Sequence, residues 1–127
     1  MAVDGVGVAL TDRNFETVAL ENPQPVLVAF TAEGCGPWPL LAPEIAAIQE
    51  AFRGRVPVAT LDVEAQPRTP ERCGVGTLPA VLFFRDGRVV DQLSGVVDRA
   101  DMEVKLHALT RNSRLKFGVI PVQARTL

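Results

Sequence analysis

The residues with the clearest chemical potential form the run Gly34-Cys35-Gly36-Pro37-Trp38, which directly follows the apolar run Val26–Phe30. An apolar strand that leads into a Cys-Gly-Pro turn and then a helix is a typical layout of a redox site. A second cysteine three residues after the first would complete a Cys-x-x-Cys pair, but that position holds Trp38. The sequence therefore predicts one nucleophilic thiol without an adjacent thiol that could resolve its mixed disulfides.

The expected place of Cys35 at the start of a helix favours its thiolate form. Unpaired backbone N–H groups and the positive end of the helix dipole stabilise negative charge there. The carboxylate of Glu33 is close in sequence and acts in the opposite direction. Two interpretations of Cys35 stay open at this point, a reactive thiol and a functionless remnant.

The composition indicates one globular domain. The 127 residues carry a net charge of −2, with 47% hydrophobic and 22% charged residues, and a chain of this length can bury a core. A net charge this small produces no electrostatic field strong enough to attract nucleic acid or an anionic membrane. No apolar run approaches the roughly 18 residues of a membrane span. Residues 1–5 lack the features of a signal peptide, and two cysteines are too few for a disulfide scaffold. We therefore expect a cytoplasmic protein with neither membrane nor nucleic acid as partner.

Nothing in the sequence predicts a metal or a cofactor. The only histidine, His107, lacks the Cys/His spacing of a metal site, and no Gly-rich phosphate loop is present. We expect His107 to be solvated and far from Cys35.

The hydrophobic pattern predicts strands and helices in alternation, ending in a hairpin and a helix. Thr11-Asp12 is expected to cap the first helix, Pro43 to kink the second, and Asp98 to cap the last. Asp86-Gly87 is a strong two-residue hairpin signal. The predicted strands are Val6–Leu10, Val26–Phe30, Val56–Val63, Ala80–Phe84 and Arg88–Leu93; the predicted helices are Asn14–Glu21, a long one after Cys35 with the stripe Leu41, Ile45, Ile48 and Phe52, a short one before the hairpin, and one with Met102, Leu106 and Leu109 on one face.

The chain changes character after Thr110. Residues 111–127 contain four basic residues and no acidic one, around an apolar, β-prone stretch at 115–122. We predict a domain over residues 1–110 and a basic C-terminal extension over 111–127, which either packs on itself or docks a partner.

The pattern from about Leu10 to Leu109 resembles thioredoxin. The resemblance is carried by motifs that keep the family's order and register: Val28-Ala29-Phe30, Ala32-Glu33, Cys35-Gly36-Pro37, Ala42-Pro43, Gln66-Pro67, Leu78-Pro79, Asp86-Gly87 and Gly95. It implies an α/β, thioredoxin-like three-layer sandwich, with a central mixed β-sheet flanked by helices on both faces.

The resemblance also implies roles for individual residues. In the family, the cysteine at the position of Cys35 attacks a target disulfide, and a cysteine three residues later resolves the mixed disulfide. The proline that matches Pro79 is cis and lies beside the nucleophile. The residues implied for the substrate groove are Gly36, Pro37, Trp38, Thr77, Leu78, Pro79 and Gly95.

The chain departs from the family around this chemistry. Trp38 replaces the resolving cysteine, while Gly34 and Thr31 replace aromatic residues. Ala29 stands where the family has a buried, proton-relaying aspartate, and Thr60 where that aspartate's lysine partner is usual. The loss of the thiol, the acid and its partner together indicates divergence from dithiol turnover.

Two side chains keep alternative interpretations. Trp38 is either an aromatic platform or lid at the thiol, or a packing residue that fills the space left by Thr31 and Gly34. Cys73 is either a remote resolving thiol or an inert, partly buried cysteine. A bridge needs Cα atoms within about 7 Å, and we expect a greater separation from Cys35 in this fold.

Three functions are consistent with these features. The leading hypothesis is monothiol exchange at Cys35 with protein thiols or disulfides, with poor or no dithiol turnover and with glutathione as the external resolving thiol. The second is a non-enzymatic binding module, a chaperone or assembly factor with a vestigial redox site, and the third is a purely structural domain. We expect a monomer, with a Cys35-linked dimer as the alternative.

Overall fold

The computed structural model describes residues 6–111, with side chains described as far as Thr110. These residues form a mixed set of strands and helices in the order that the hydrophobic pattern predicts. The strands are β1 (Val8–Ala9), β2 (Val26–Thr31), β3 (Val58–Asp62), β4 (Ala80–Arg85) and β5 (Arg88–Ser94); the helices are a short π-helical segment (Glu16–Leu20), α1 (Trp38–Ala51), α2 (Arg68–Cys73) and α3 (Arg99–Arg111).

The strands form one sheet in the order β1-β3-β2-β4-β5. Strands β1, β3 and β2 run parallel, whereas β4 is antiparallel to both β2 and β5. Strand β2 lies at the centre and is buried over its whole length, as its unbroken apolar run predicts. The predicted α/β fold with a mixed central sheet is confirmed.

The sheet separates two hydrophobic cores, because successive side chains of a strand point to opposite faces. The α1-side core contains Leu27 and Ala29 of β2 together with residues of α1 and α3. The opposite core contains Val28 and Phe30 of β2 together with Phe15, beside the π-helical segment. Helical residues therefore pack on both faces, which gives the predicted three layers.

The first helix differs from its prediction. It is confined to Glu16–Leu20, and a hydrogen bond from the Glu21 N–H to the Glu16 carbonyl (2.8 Å) spans five residues, the spacing of a π-helix. Thr11 and Asn14 exchange backbone-to-side-chain hydrogen bonds just before it. The pair Thr11-Asp12 was predicted to cap this helix. The Thr11 hydroxyl accepts the Asn14 N–H (3.0 Å), whereas the Asp12 carboxylate accepts hydrogen bonds from the Arg68 and Thr69 N–H groups at the start of α2.

One edge of the sheet brings three loops together. Phe30 at the end of β2 pairs with Ala80 at the start of β4, and Ala80 pairs with Ser94 at the end of β5. The segments 32–37 and 77–79 and the residue Gly95 therefore leave the sheet at the same edge.

Two further predictions concern segments beyond this framework. Within the described part of the chain, none of the helices has the length and apolar character needed to cross a membrane. The predicted basic extension, apart from the backbone of Arg111, lies outside the described residues.

Candidate active site

Cys35 lies in a tight turn between β2 and α1. Its N–H donates to the Ala32 carbonyl (3.0 Å), and its carbonyl accepts from the Trp38 N–H (3.1 Å) at the first residue of α1. The N-cap residue, Pro37, provides no side-chain cap. The thiol is partly exposed and packs against the α1-side core. An accessible thiol therefore sits just before the positive end of a 14-residue helix.

The residues implied for the substrate groove come together at the sheet edge beside this turn. The Leu78–Pro79 peptide bond is cis, and the Gly95 N–H donates to the Pro79 carbonyl (2.8 Å). Of the other residues implied for the groove, Gly36, Pro37 and Thr77 are exposed, Leu78 is partly exposed and Trp38 is buried. The hydrogen bond from the Gly95 N–H to the Pro79 carbonyl was not predicted from the sequence. That these residues contact a substrate stays a prediction.

Trp38 occupies the first turn of α1 with its side chain buried. Only 4% of its surface is exposed, and it belongs to the α1-side core. This burial agrees with the packing interpretation and disagrees with an exposed aromatic platform. The position that holds a resolving thiol in the family is therefore a core position in this chain.

The two positions implied for a buried acid and its lysine partner are direct neighbours across strands. Ala29 of β2 pairs with Thr60 of β3, and both are almost fully buried. The Thr60 hydroxyl donates to the Val6 carbonyl (2.9 Å). Neither residue titrates, so this site cannot relay a proton through a side-chain acid.

Thr31, at the end of β2, has a feature that the sequence interpretation missed. Its side chain is fully buried, and its Oγ1 has no hydrogen-bond partner among the described residues. The sequence analysis treated Thr31 only as a missing aromatic residue. The signal was a hydroxyl that ends an otherwise apolar run just before Cys35.

Cys73 occupies a different environment at the last residue of α2. It packs against the opposite core and lines a cavity of about 210 Å³ with Phe15, Leu20 and Phe84 among its other walls. Burial raises the pKa of the Cys73 thiol, and the neighbouring Arg72 charge offsets only part of this effect. Both cysteines are free, and they pack on opposite sides of the sheet. The expectation that they form no bridge is confirmed.

His107 is exposed on α3, and its ring contacts Phe52 at a centroid distance of 5.1 Å. No group of three or more His, Cys, Asp or Glu residues among those described is arranged to hold a metal ion.

Comparisons with known proteins agree with this geometry. A family model described as thioredoxin matches residues 6–108. A thioredoxin of Alicyclobacillus acidocaldarius subsp. acidocaldarius is 37% identical over 99 residues, which cover 78% of this chain and 93% of that protein. A thioredoxin of Chlorobaculum thiosulfatiphilum is 35% identical, covering 70% and 82% of the two chains. Thioredoxin 1 of Synechococcus elongatus (strain ATCC 33912 / PCC 7942 / FACHB-805) is 32% identical, covering 76% and 91%.

Proposed function

Because this chain belongs to the thioredoxin family, a family of thiol–disulfide redox proteins, we propose that it exchanges disulfides with other proteins through the single thiol of Cys35. The observation that carries this proposal is the place of the only other thiol. Trp38 fills the resolving position from within the core, and Cys73 packs on the other side of the sheet. Dithiol turnover is therefore poor or absent.

The proposed exchange has two steps. The Cys35 thiolate attacks one sulfur of a client disulfide, forms a mixed disulfide and releases the other client sulfur as a thiolate. An external thiolate, such as that of glutathione, then attacks the client sulfur of the mixed disulfide, and Cys35 leaves as a thiolate. The client carries away a disulfide to the external thiol, so electrons balance without a second cysteine in this chain.

The need for an external thiol also limits the compartment and the partners of this protein. We propose a reducing compartment such as the cytoplasm, where glutathione is abundant, and protein thiols or disulfides as partners. The protein is proposed to be a monomer under those conditions. When the external thiol is exhausted, the Cys35 thiolate of a second copy attacks the Cys35 sulfur of a mixed disulfide, which forms a Cys35-linked dimer and releases the client as a thiolate.

Insulin reduction tests this proposal. The wild-type protein should stimulate the reaction with glutathione as reductant, and Cys35→Ser should abolish the stimulation while Cys73→Ser retains it. Equal activity of wild type and Cys35→Ser would overturn the proposal.

A second candidate, a binding module without redox turnover, is favoured by the apolar surface next to the turn. Leu40 is 67% exposed on the first turn of α1, and Pro37 and Pro39 are exposed beside it. Client capture by Cys35→Ser that equals capture by wild type would favour this candidate. If neither wild type nor Cys35→Ser captures a client, the result would instead indicate a structural domain with a vestigial site.

A further inference from the structure

The Thr31 hydroxyl is buried without a hydrogen-bond partner, which proteins generally avoid. Oγ1 has no partner among the described residues, and the side chain has no exposed surface. Such a group lowers stability, and its presence in a native protein calls for an explanation. The buried hydroxyl of Thr60, in contrast, has a partner, because it donates to a backbone carbonyl at 2.9 Å.

The position of Thr31 places this hydroxyl on the side of the sheet that holds Cys35. Side chains alternate along β2, so Thr31 shares a face with Leu27 and Ala29, both in the α1-side core. Cys35 packs against the same core. Its N–H bond to the Ala32 carbonyl closes a turn that keeps the Cα atoms of residues 32 and 35 within about 7 Å.

A buried hydroxyl donor needs an acceptor on its own side of the sheet, and the Cys35 sulfur is a candidate acceptor on that side. Because Thr31 has no exposed surface, a client segment in the groove does not reach it. A neutral thiol is a weak acceptor, whereas an anionic sulfur is a strong one. Rotation of the Cys35 side chain among its staggered χ1 wells changes where the sulfur lies.

The charged groups on the surrounding loops do not replace this donor. Glu33 lies two residues before Cys35 and Asp62 pairs with Thr31 across strands, and an ionised carboxylate cannot donate a hydrogen bond. The Asp62 carboxylate accepts hydrogen bonds from the Glu64 and Ala65 N–H groups (2.9 and 3.3 Å). On the α3 side, Arg99 pairs with Glu44 at 3.5 Å.

We propose that Thr31 is a positioning residue whose hydroxyl donates a hydrogen bond to the Cys35 thiolate. This inference rests on the proposed function, in which Cys35 is both the attacking and the leaving thiolate. A hydrogen bond that stabilises the thiolate makes Cys35 a better leaving group when an external thiolate attacks the client sulfur. Thr31 thereby assists release of the mixed disulfide and does not act as an acid or a base.

The test compares Thr31→Val, which removes the hydroxyl at nearly constant shape, with Thr31→Ser, which retains it. Alkylation by iodoacetamide is followed across pH at each cysteine by mass spectrometry. Thr31→Val should slow labelling of Cys35 about tenfold at neutral pH, the effect of one charge-assisted hydrogen bond. Thr31→Ser should label like wild type, and Cys73 should label equally in all three proteins. Identical Cys35 profiles for wild type and Thr31→Val would overturn the inference.

Urea unfolding and the formation of mixed disulfides by wild type separate a failed role of Thr31 from misfolding and from failure of the proposed function. Urea unfolding shows whether each variant is folded, and Thr31→Ala provides the same comparison if Thr31→Val is not. Thr31→Val should be at least as stable as wild type, because it removes an unpartnered buried hydroxyl. If wild-type Cys35 forms mixed disulfides while Thr31→Val leaves its labelling unchanged, only the role of Thr31 fails. If wild-type Cys35 forms none, the proposed function fails.

Discussion

The two cysteines lie at opposite ends of two helices, and the comparison shows how position determines the chemistry of one residue type. Cys35 precedes the N-terminus of α1, whereas Cys73 is the last residue of α2. A helix N-terminus stabilises an anion and a C-terminus opposes it. The N-terminus of α2 is occupied by the carboxylate of Asp12, which accepts a hydrogen bond from the Thr69 N–H (2.8 Å). No such side-chain cap comes from Pro37 at the start of α1.

The surroundings of the two thiols reinforce this difference. Both are partly exposed, but Cys73 lines a cavity together with Phe15 and Phe84, and burial raises its pKa. Cys35 lies in a turn next to exposed groove residues. Partial exposure alone therefore does not identify the functional thiol. The position of each thiol relative to its helix does.

The largest expected effect comes from giving the Cys35 region a second thiol. Trp38→Cys should raise insulin reduction by dithiothreitol clearly above the wild-type rate, because a resolving thiol is restored. The rate should stay below that of a dithiol thioredoxin, because Ala29 cannot relay protons to the new cysteine.

The control for this experiment is Trp38→Ser, which opens the same space without a thiol. Both variants should lose about 3 kcal/mol of stability, because they empty a core position. The rates are therefore compared at a temperature where urea unfolding shows both variants folded. Equal reduction by Trp38→Cys and Trp38→Ser would show that the second thiol is not what the site lacks.

The next prediction tests whether position 29, on the Cys35 side of the sheet, tolerates the buried aspartate that is usual in the family. Ala29→Asp should lower the free energy of unfolding by about 3 kcal/mol at neutral pH, because a carboxyl enters a fully buried site. Burial raises the pKa of that carboxyl in the folded state, so the native state binds the proton more tightly and the loss should shrink as the pH falls.

Urea unfolding of the double variant Ala29→Asp/Thr60→Lys provides the matched comparison, because residues 29 and 60 pair across strands. Partial recovery of stability is expected from the ion pair. A single variant as stable as wild type at neutral pH would contradict the assignment of a dry, uncharged site.

A smaller effect concerns the thiol of Cys73. In the folded protein it should be alkylated several-fold more slowly at neutral pH than in urea, because burial raises its pKa and limits access. Arg72→Gln should slow it further, since the positive charge that partly lowers this pKa is removed, while Arg72→Lys should not. Peptide mass spectrometry measures both rates, and labelling of folded Cys73 at the unfolded rate would contradict the contrast between the thiols.

The smallest effect concerns the cap of α2. Desolvation would raise the pKa of Asp12, but the hydrogen bonds from Thr69 and Arg68 outweigh it and hold this pKa below its ordinary value. The contribution of Asp12 to stability is therefore complete above its unfolded pKa of about 3.9 and lost as the pH falls through the folded value. Asp12→Asn should lack that acid-dependent loss in urea unfolding. An unchanged pH dependence would show that the carboxylate does not stabilise the folded state.

Pattern and register made much of the framework predictable. The unbroken apolar run of β2, the Asp86-Gly87 hairpin and the stripe along α1 each follow from local rules that the fold obeys. The first helix was predicted over Asn14–Glu21 and is observed over Glu16–Leu20, with the hydrogen-bond spacing of a π-helix. Its cap was harder to predict, because the Asp12 carboxylate bonds with residues more than 50 positions away.

The site was predictable in its residues and less so in their burial. The sequence placed Cys35, the Pro79 loop and Gly95 together through the family pattern. It could not decide whether Trp38 is exposed, because that depends on the space left by Thr31 and Gly34. The unpartnered Thr31 hydroxyl could not be predicted either, because it depends on every polar group that surrounds the end of β2.

The central claim is that this chain carries out disulfide exchange at Cys35 alone, and glutathione disulfide tests it most directly. The folded protein is incubated with this reagent, and its peptides are mapped by mass spectrometry, with Cys35→Ser and Cys73→Ser as matched variants. We expect one glutathione adduct, on Cys35, that excess reduced glutathione removes. An adduct chiefly on Cys73, a bond between the two cysteines, or no adduct in wild type would contradict the account.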